Sequence, residues 1–203
     1  MADAGSVANH LRRYYDDEVQ TRAARPLGDG RERCLAAFVA ECSRREVHSV
    51  LEVGCGAGRD GVVIAGAGLA YAGVDLSPAM VEHCVGLGLD AQVAVATSLP
   101  FPDDSFDAAW TMSTLMHLPG DDLILALAEL RRVVRPGGLV EIGIWGATVD
   151  AERQFGGGRY VHVRTDEAVL ELLTALGHVD AFDTWDAQDD DLHYQWARLT
   201  TRP

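Results

Sequence analysis

With 203 residues, nearly half of them hydrophobic, the chain is long enough to close one sizeable core and too apolar for disorder. Its formal net charge of −14 reads as a solvated, self-repelling surface and argues against nucleic acid or an anionic membrane as partner, since both attract basic patches. Residues 1–30 are polar, with "HLRRYYDDEV" expected as a helix and "RPLGDGRE" as a loop. From Arg31 onward, Leu35, Phe38, Val39 and Cys42 recur on one apolar helix face.

The run "HSVLEVG" is a short buried strand that ends in a glycine loop, "GCGAG", and "GVVIAGAG" reads as the helix after it. A second strand, "YAGVDLS", stops at Ser77-Pro78, where serine as N-cap and proline at the first helical position open "PAMVEHCVGLG". "AQVAVAT" and "FDAAWTMST" are the third and fourth strands. Leu123, Ile124, Leu127, Leu130 and Val134 then share a helical face, with Asp121 and Asp122 at its start and Arg131, Arg132 and Arg135 at its end, matching the helix dipole. "RPGG" is expected to stop that helix before a fifth strand, "LVEIGIW". Strands alternating with helices imply a parallel sheet covered on both faces. After a helix over Thr165–Leu176, "VDAFDTWD" and "HYQWARLT" are separated only by "AQDDD", so they pair as an antiparallel hairpin.

All 17 basic residues are arginine, as in a protein from a GC-rich genome and, we expect, a bacterial one. Cys34, Cys42, Cys55 and Cys84 form no CxxC pair and no His/Cys ligand spacing, so they read as reduced thiols of a cytoplasmic protein with no metal site. No apolar leader and no run approaching about 18 apolar residues appears, which points to a soluble protein.

In an open parallel sheet, ligands bind beyond the C-terminal strand ends, where glycine lets the backbone approach closely. An acid about 20 residues after such a loop can hold both hydroxyls of a ribose, and Asp75 stands there at the end of the second strand. The loop and Asp75 together predict a nucleoside-bearing cofactor. Two classes compete. Nicotinamide dinucleotides favour GxGxxG, whereas here the pattern is GxGxG and Arg59 occupies the third-glycine position. An arginine suits a carboxylate, which S-adenosylmethionine (SAM) carries in place of a pyrophosphate.

"VLEVGCGAGRD", "GVDLSPAMVEHC", "LPFPDDSFDAAW" and "LRRVVRPGGLVEI" occur in that order over residues 50–146. As a set they resemble the core of class I SAM-dependent methyltransferases, in particular the small-molecule "type 11" group. The resemblance implies a Rossmann-like α/β fold: a seven-stranded, mostly parallel sheet with an antiparallel last strand and helices on both faces. It implies one domain over 1–203, with a lid segment at 1–30, a SAM-binding core at 31–146, a flexible loop at 147–164 and a C-terminal helix and hairpin at 165–203.

The resemblance places Glu52, Gly54, Gly56 and Gly58 against the methionine part of SAM, Asp75 on the ribose and Leu76 on the adenine. Met112 is expected at the cofactor too, and Arg59 either reaches the SAM carboxylate or is a solvated arginine at a helix start. Asp60 is expected as a first-turn helix acid and Cys55 as a small filler. The family often has an aspartate for the adenine amino group where this chain has Val95, so Thr97 or a backbone carbonyl has to substitute. His117, just past the fourth strand, is either structural or a general base. Tyr14 and Tyr15, on the lid helix, and Trp145 are candidates for the acceptor wall, and Gly156-Gly157-Gly158 gives a segment able to close over it. His162 and His193 are expected at the surface or in packing. The expected activity is methyl transfer from SAM to an O, N or C atom of a small molecule, leaving S-adenosylhomocysteine (SAH), with a monomer or homodimer as the functional unit. The competing reading is a SAM-binding sensor or accessory protein that does not methylate.

Overall fold

The computed structural model describes residues 3–186 and 191–202. Of the expected "AQDDD" link, all but Asp191 lies outside the described residues. The chain opens with three helices: α1 (Ala4–Asp17), α2 (Val19–Ala24) and α3 (Asp29–Arg44). Asp3 starts α1 by accepting from the Ser6 N–H. The alternating part follows as β1 (Ser49–Val53), α4 (Arg59–Gly66), β2 (Ala70–Asp75), α5 (Pro78–Gly86), β3 (Ala91–Val93), β4 (Phe106–Met112), α6 (Asp122–Val133) and β5 (Val134–Ala147). Two short strands, β6 (Ala151–Phe155) and β7 (Arg159–Val163), precede α7 (Asp166–Leu173), β8 (Gly177–Asp186) and β9 (Leu192–Thr201).

Seven of these strands form one sheet in the order β3-β2-β1-β4-β5-β9-β8. β1 to β5 pair in parallel, and β9 enters antiparallel between β5 and β8. Side chains alternate across the sheet. Ala108, Trp110 and Met112 of β4 meet Leu35, Phe38 and Cys42 of α3 and Ile64 of α4, whereas Val140, Ile142 and Ile144 of β5 meet α6 and α7 through Leu127, Leu130 and Leu173. This burial on both faces explains why the central strands read as apolar runs.

The Ser77 hydroxyl accepts from Met80 N with Pro78 at the helix start, as expected. Three expectations need correction. The third strand covers only Ala91–Val93, because Val95 and Ser98 close a turn instead of continuing it. "RPGG" is not a connection. α6 ends at Val133, Val134 already pairs with Phe106, and Arg135–Gly138 bulge before pairing resumes at Ala108↔Leu139. Proline without an N–H and Gly137 at φ +74° suit such a bulge. Finally, 147–164 is not a loop. β6 and β7 pair antiparallel from Ala151↔Val163 to Phe155↔Arg159, the three glycines form the turn, and Val161 and Val163 bury into the core.

Candidate functional site

Strand order reverses between β1 and β4, so the loops after them diverge and leave a crevice at the C-terminal strand ends. A cavity of about 200 Å³ lies there, floored by the glycine loop and Asp75 and roofed by Val7, Leu11 and Tyr15 of α1. The loop doubles back on β2. The N–H groups of Gly54 and Cys55 both donate to the Val74 carbonyl, at 2.8 and 3.0 Å. Gly54 holds φ +81°, and a Cβ there would collide with the Thr114 side chain. Gly56 holds φ +51°, and a Cβ there would meet nothing within 4 Å, so the loop's exposed backbone borders open space.

Asp75 ends β2 facing this loop. Its Oδ2 accepts from Gly56 N at 2.8 Å and its Oδ1 from Ser77 N at 2.9 Å. Burial raises its pKa, and these two backbone donors oppose the rise. Each carboxylate oxygen keeps a lone pair for a further donor, which fits a vicinal diol.

Leu76, Ala94, Val95, Ala96 and Thr97 line the cavity beyond Asp75, and Met112 of β4 and Ser113 and Thr114 just after it line the facing side. Val95 offers no side-chain acceptor, and Thr97 brings a hydroxyl to the same wall. Three arginines, Arg22, Arg31 and Arg59, border the cavity in an otherwise acidic protein. Arg59 donates to the Arg25 carbonyl at 2.6 Å. Arg31 forks onto Asp60, with Nε–Oδ2 at 2.8 Å and Nη2–Oδ2 at 2.6 Å, and the buried Trp110 indole donates to the same oxygen at 2.7 Å. Burial disfavours the Arg31 cation, but the Asp60 charge and hydrogen bonds turn the balance and raise its pKa. Asp60 thus opens α4, as expected of a first-turn acid, and also ties α3 to β4.

Four expected site residues stand elsewhere. Glu52 is fully buried behind the loop, where Tyr71 donates to its Oε2 at 2.6 Å. Burial and the Asp60 charge push its carboxyl well above the usual range. Gly58 caps α4 and packs toward Cys84 and Leu89. Tyr14 turns away from the cavity to pack on Gly157 and under the Arg159 guanidinium, because its neighbour Tyr15 takes the inward face of α1. Trp145 packs on Phe155 of the unexpected hairpin. Cys55 is buried beside Cys84. His162 accepts from Arg164 at 2.8 Å, and His193 pairs with Asp166 at 2.7 Å, so both serve packing.

His117 closes a 3-10 turn over Leu115–His117 and is buried at the cavity wall. Its Nδ1 lies 2.6 Å from the Tyr160 carbonyl and its Nε2 2.8 Å from the Tyr15 hydroxyl. Burial, abetted by the charges of Arg159 and Arg22, lowers its pKa to about 4, against the pull of the Tyr160 carbonyl.

Sequence reasoning missed Arg22, Arg31 and Ser113. Ser113 holds φ +59° at the tip of β4, with its hydroxyl 3.0 Å from the Tyr194 hydroxyl. Nothing local announces that strain, and the arginines are indistinguishable in sequence from solvated ones. Among the described residues, no cluster of His, Cys, Asp or Glu could hold a metal ion, and no helix is long and apolar enough to cross a membrane.

A methyltransferase-domain family model matches residues 51–142. The 27-O-demethylrifamycin SV methyltransferase of Amycolatopsis mediterranei is 30% identical over 180 residues, covering 80% of this chain and 64% of its own length. A protein of Encephalitozoon cuniculi, provisionally named a methyltransferase, is 30% identical over 158 residues, covering 63% of this chain and 69% of its own. The chain therefore spans less than two thirds of the rifamycin enzyme. Among solved structures, 1,6-didemethyltoxoflavin-N1-methyltransferase of Burkholderia thailandensis, with 1,6-didemethyltoxoflavin and SAH bound, superposes with a TM-score of 0.80. It is 20% identical, and the match covers 100% of this chain and 92% of that one, a likeness of fold.

Proposed function

The chain belongs to the class I SAM-dependent methyltransferases, and from that premise we propose that it transfers the methyl group of SAM to a small-molecule acceptor in specialised metabolism, releasing SAH. The observation that carries this reading is the pairing of an open glycine backbone with Asp75 on the floor of a roofed cavity. The acceptor class is supported by the acidic charge, which repels nucleic acid, and by the rifamycin relative's small-molecule name. The four free thiols support a reducing cytoplasm as its compartment.

Asp75 would take the ribose hydroxyls on its free lone pairs, and the Gly54–Gly56 backbone would lie along the methionine part. Arg59 or Arg31 would meet the carboxylate, and Leu76 and Thr97 would border the adenine. Bound SAM supplies a methyl on a sulfonium, already a good leaving group. What remains for the chain is to hold the acceptor in line and keep water out. Alignment of this kind contributes roughly 7–11 kcal/mol. α1 provides the roof and is strapped at its middle and at its C-terminal end. Asp16 accepts from the Ser77 hydroxyl at 2.6 Å, and His10 meets the Gly157 carbonyl at 2.8 Å.

The test uses SAM labelled on its methyl, incubated with the protein and an extract of the source cells separated at about 1 kDa. Label appearing in the small fraction is the expected result. Label only on macromolecules overturns the acceptor class, and SAM binding without transfer to any fraction favours a sensor or accessory protein.

A further inference from the structure

His117 has no free nitrogen. The Tyr160 carbonyl can only accept, so Nδ1 at 2.6 Å carries the ring proton. In the neutral ring Nε2 then holds the lone pair, and the Tyr15 hydroxyl at 2.8 Å donates to it. An acceptor in the cavity cannot reach His117 Nε2 without displacing Tyr15. The Tyr15 oxygen, by contrast, keeps a lone pair even beside the Arg159 guanidinium, and Tyr15 lines the cavity. The two residues are 102 positions apart, joined only because α1 folds over the sheet.

We propose that Tyr15 and His117 form a proton relay in which the Tyr15 oxygen receives the proton of a hydroxyl-bearing acceptor and passes its own proton to His117 Nε2, so that the reaction is an O-methylation of an alcohol or phenol. This rests on the methyl-transfer reading above. As the acceptor oxygen's lone pair closes on the methyl carbon, the carbon–sulfur pair returns to sulfur. The acceptor proton moves to the Tyr15 oxygen, and the Tyr15 proton moves to Nε2. The positive charge lost from sulfur ends on an imidazolium whose Nδ1–H is already held by the Tyr160 carbonyl. No other reactant is consumed.

The surroundings of His117 select oxygen over nitrogen. Besides Tyr15, the charged groups that face it are Arg22 of α2 and Arg159 of β7, both cationic. With burial, they keep the imidazole neutral down to about pH 4. A hydroxyl oxygen that is being methylated becomes a strong acid and gives up its proton even to so weak a base. An alkylammonium holds its proton to roughly pH 10 and gains nothing from this relay.

Two measurements test the relay. The first is nitrogen NMR of the His117 ring in the protein saturated with SAH, which needs no acceptor. A neutral ring with Nδ1–H at pH 6, and an Nε2 signal that shifts in Tyr15→Phe, is expected. An Nε2–H ring or an imidazolium at that pH overturns the relay. The second is label transfer from methyl-labelled SAM into the small-molecule extract fraction. Tyr15→Phe should lower turnover about 100-fold or more with the Kd for SAH within twofold, while Tyr14→Phe retains the wild-type rate. The labelled product should be a methyl ether, and the wild-type rate should be flat from about pH 5.5 to 8, since His117 stays neutral throughout that range. Wild-type turnover that Tyr15→Phe leaves intact, or label on nitrogen, overturns the relay alone. Absence of transfer by the wild type overturns the methyl-transfer reading and the relay with it.

Discussion

Gly54, Gly56 and Asp75 separate what the glycine loop does for the fold from what it does for a ligand. Alanine at either glycine must take a left-handed backbone, which costs about 1–2 kcal/mol. At Gly54 the new methyl also collides with Thr114, so the total should reach roughly 3 kcal/mol or more. At Gly56 the methyl meets no protein atom and instead fills the space beside the loop. Gly56→Ala should therefore lower the unfolding free energy by only about 1–2 kcal/mol in urea titration yet weaken SAM binding at least tenfold. Equal affinity in Gly56→Ala and wild type would mean that nothing lies against this loop. Asp75 adds a pH dependence. Burial raises its pKa, so SAM affinity should fall on acidification sooner than for an exposed aspartate, because the protonated carboxyl loses an acceptor.

At the scale of elements, two polar ties decide where the helices sit. Asp60 accepts from Arg31 and Trp110 and so joins α3, α4 and β4 below the cavity. Asp60→Ala would leave the Arg31 cation and the fully buried indole N–H without their partner, and should cost about 3–5 kcal/mol in chemical unfolding. Asp16 ties α1 to the start of α5 through Ser77 Oγ at 2.6 Å and Ala79 N at 3.3 Å. In Asp16→Ala, amide exchange should speed up about tenfold or more across Ala4–Asp17, since hydrogen bonds to a charged group contribute about 1.5–3 kcal/mol, while β1 and β4 stay protected. Unchanged exchange in α1 would show that the strap lies elsewhere. Neither tie was legible beforehand. β1, β2, β4 and the Ser77-Pro78 helix start declare themselves through local patterns, and so does Asp75 by its place after a strand. Arg31–Asp60 and Tyr15–His117 join residues 29 and 102 positions apart, and no local pattern encodes such a meeting. The β6–β7 hairpin was hidden because three glycines resemble a loose connection, while the alternation that makes "RYVHV" a strand spans only five residues.

For the molecule as a whole, the sheet order brings the glycine loop, Asp75, Tyr15 and His117 to one end. One buried group should be visible in global stability. The His117 pKa is depressed from 6.5 to about 4 in the folded protein, so between those values the unfolded chain binds more protons. Stability from this group is complete above about pH 6.5 and is lost as pH falls towards 4, by roughly 3 kcal/mol in total. His117→Gln should flatten that part of the stability–pH curve, read by urea unfolding at pH 7, 5.5 and 4.5. A curve as steep as the wild type's would place the titration in another group. The central claim, that the cavity under α1 holds the cofactor by its loop and Asp75, is tested most directly by calorimetric titration of SAH into the wild-type protein and Asp75→Ala. One site per chain, weakened at least tenfold by the substitution, is the result the account predicts. No binding to the wild type, or the same affinity in both proteins, would contradict it.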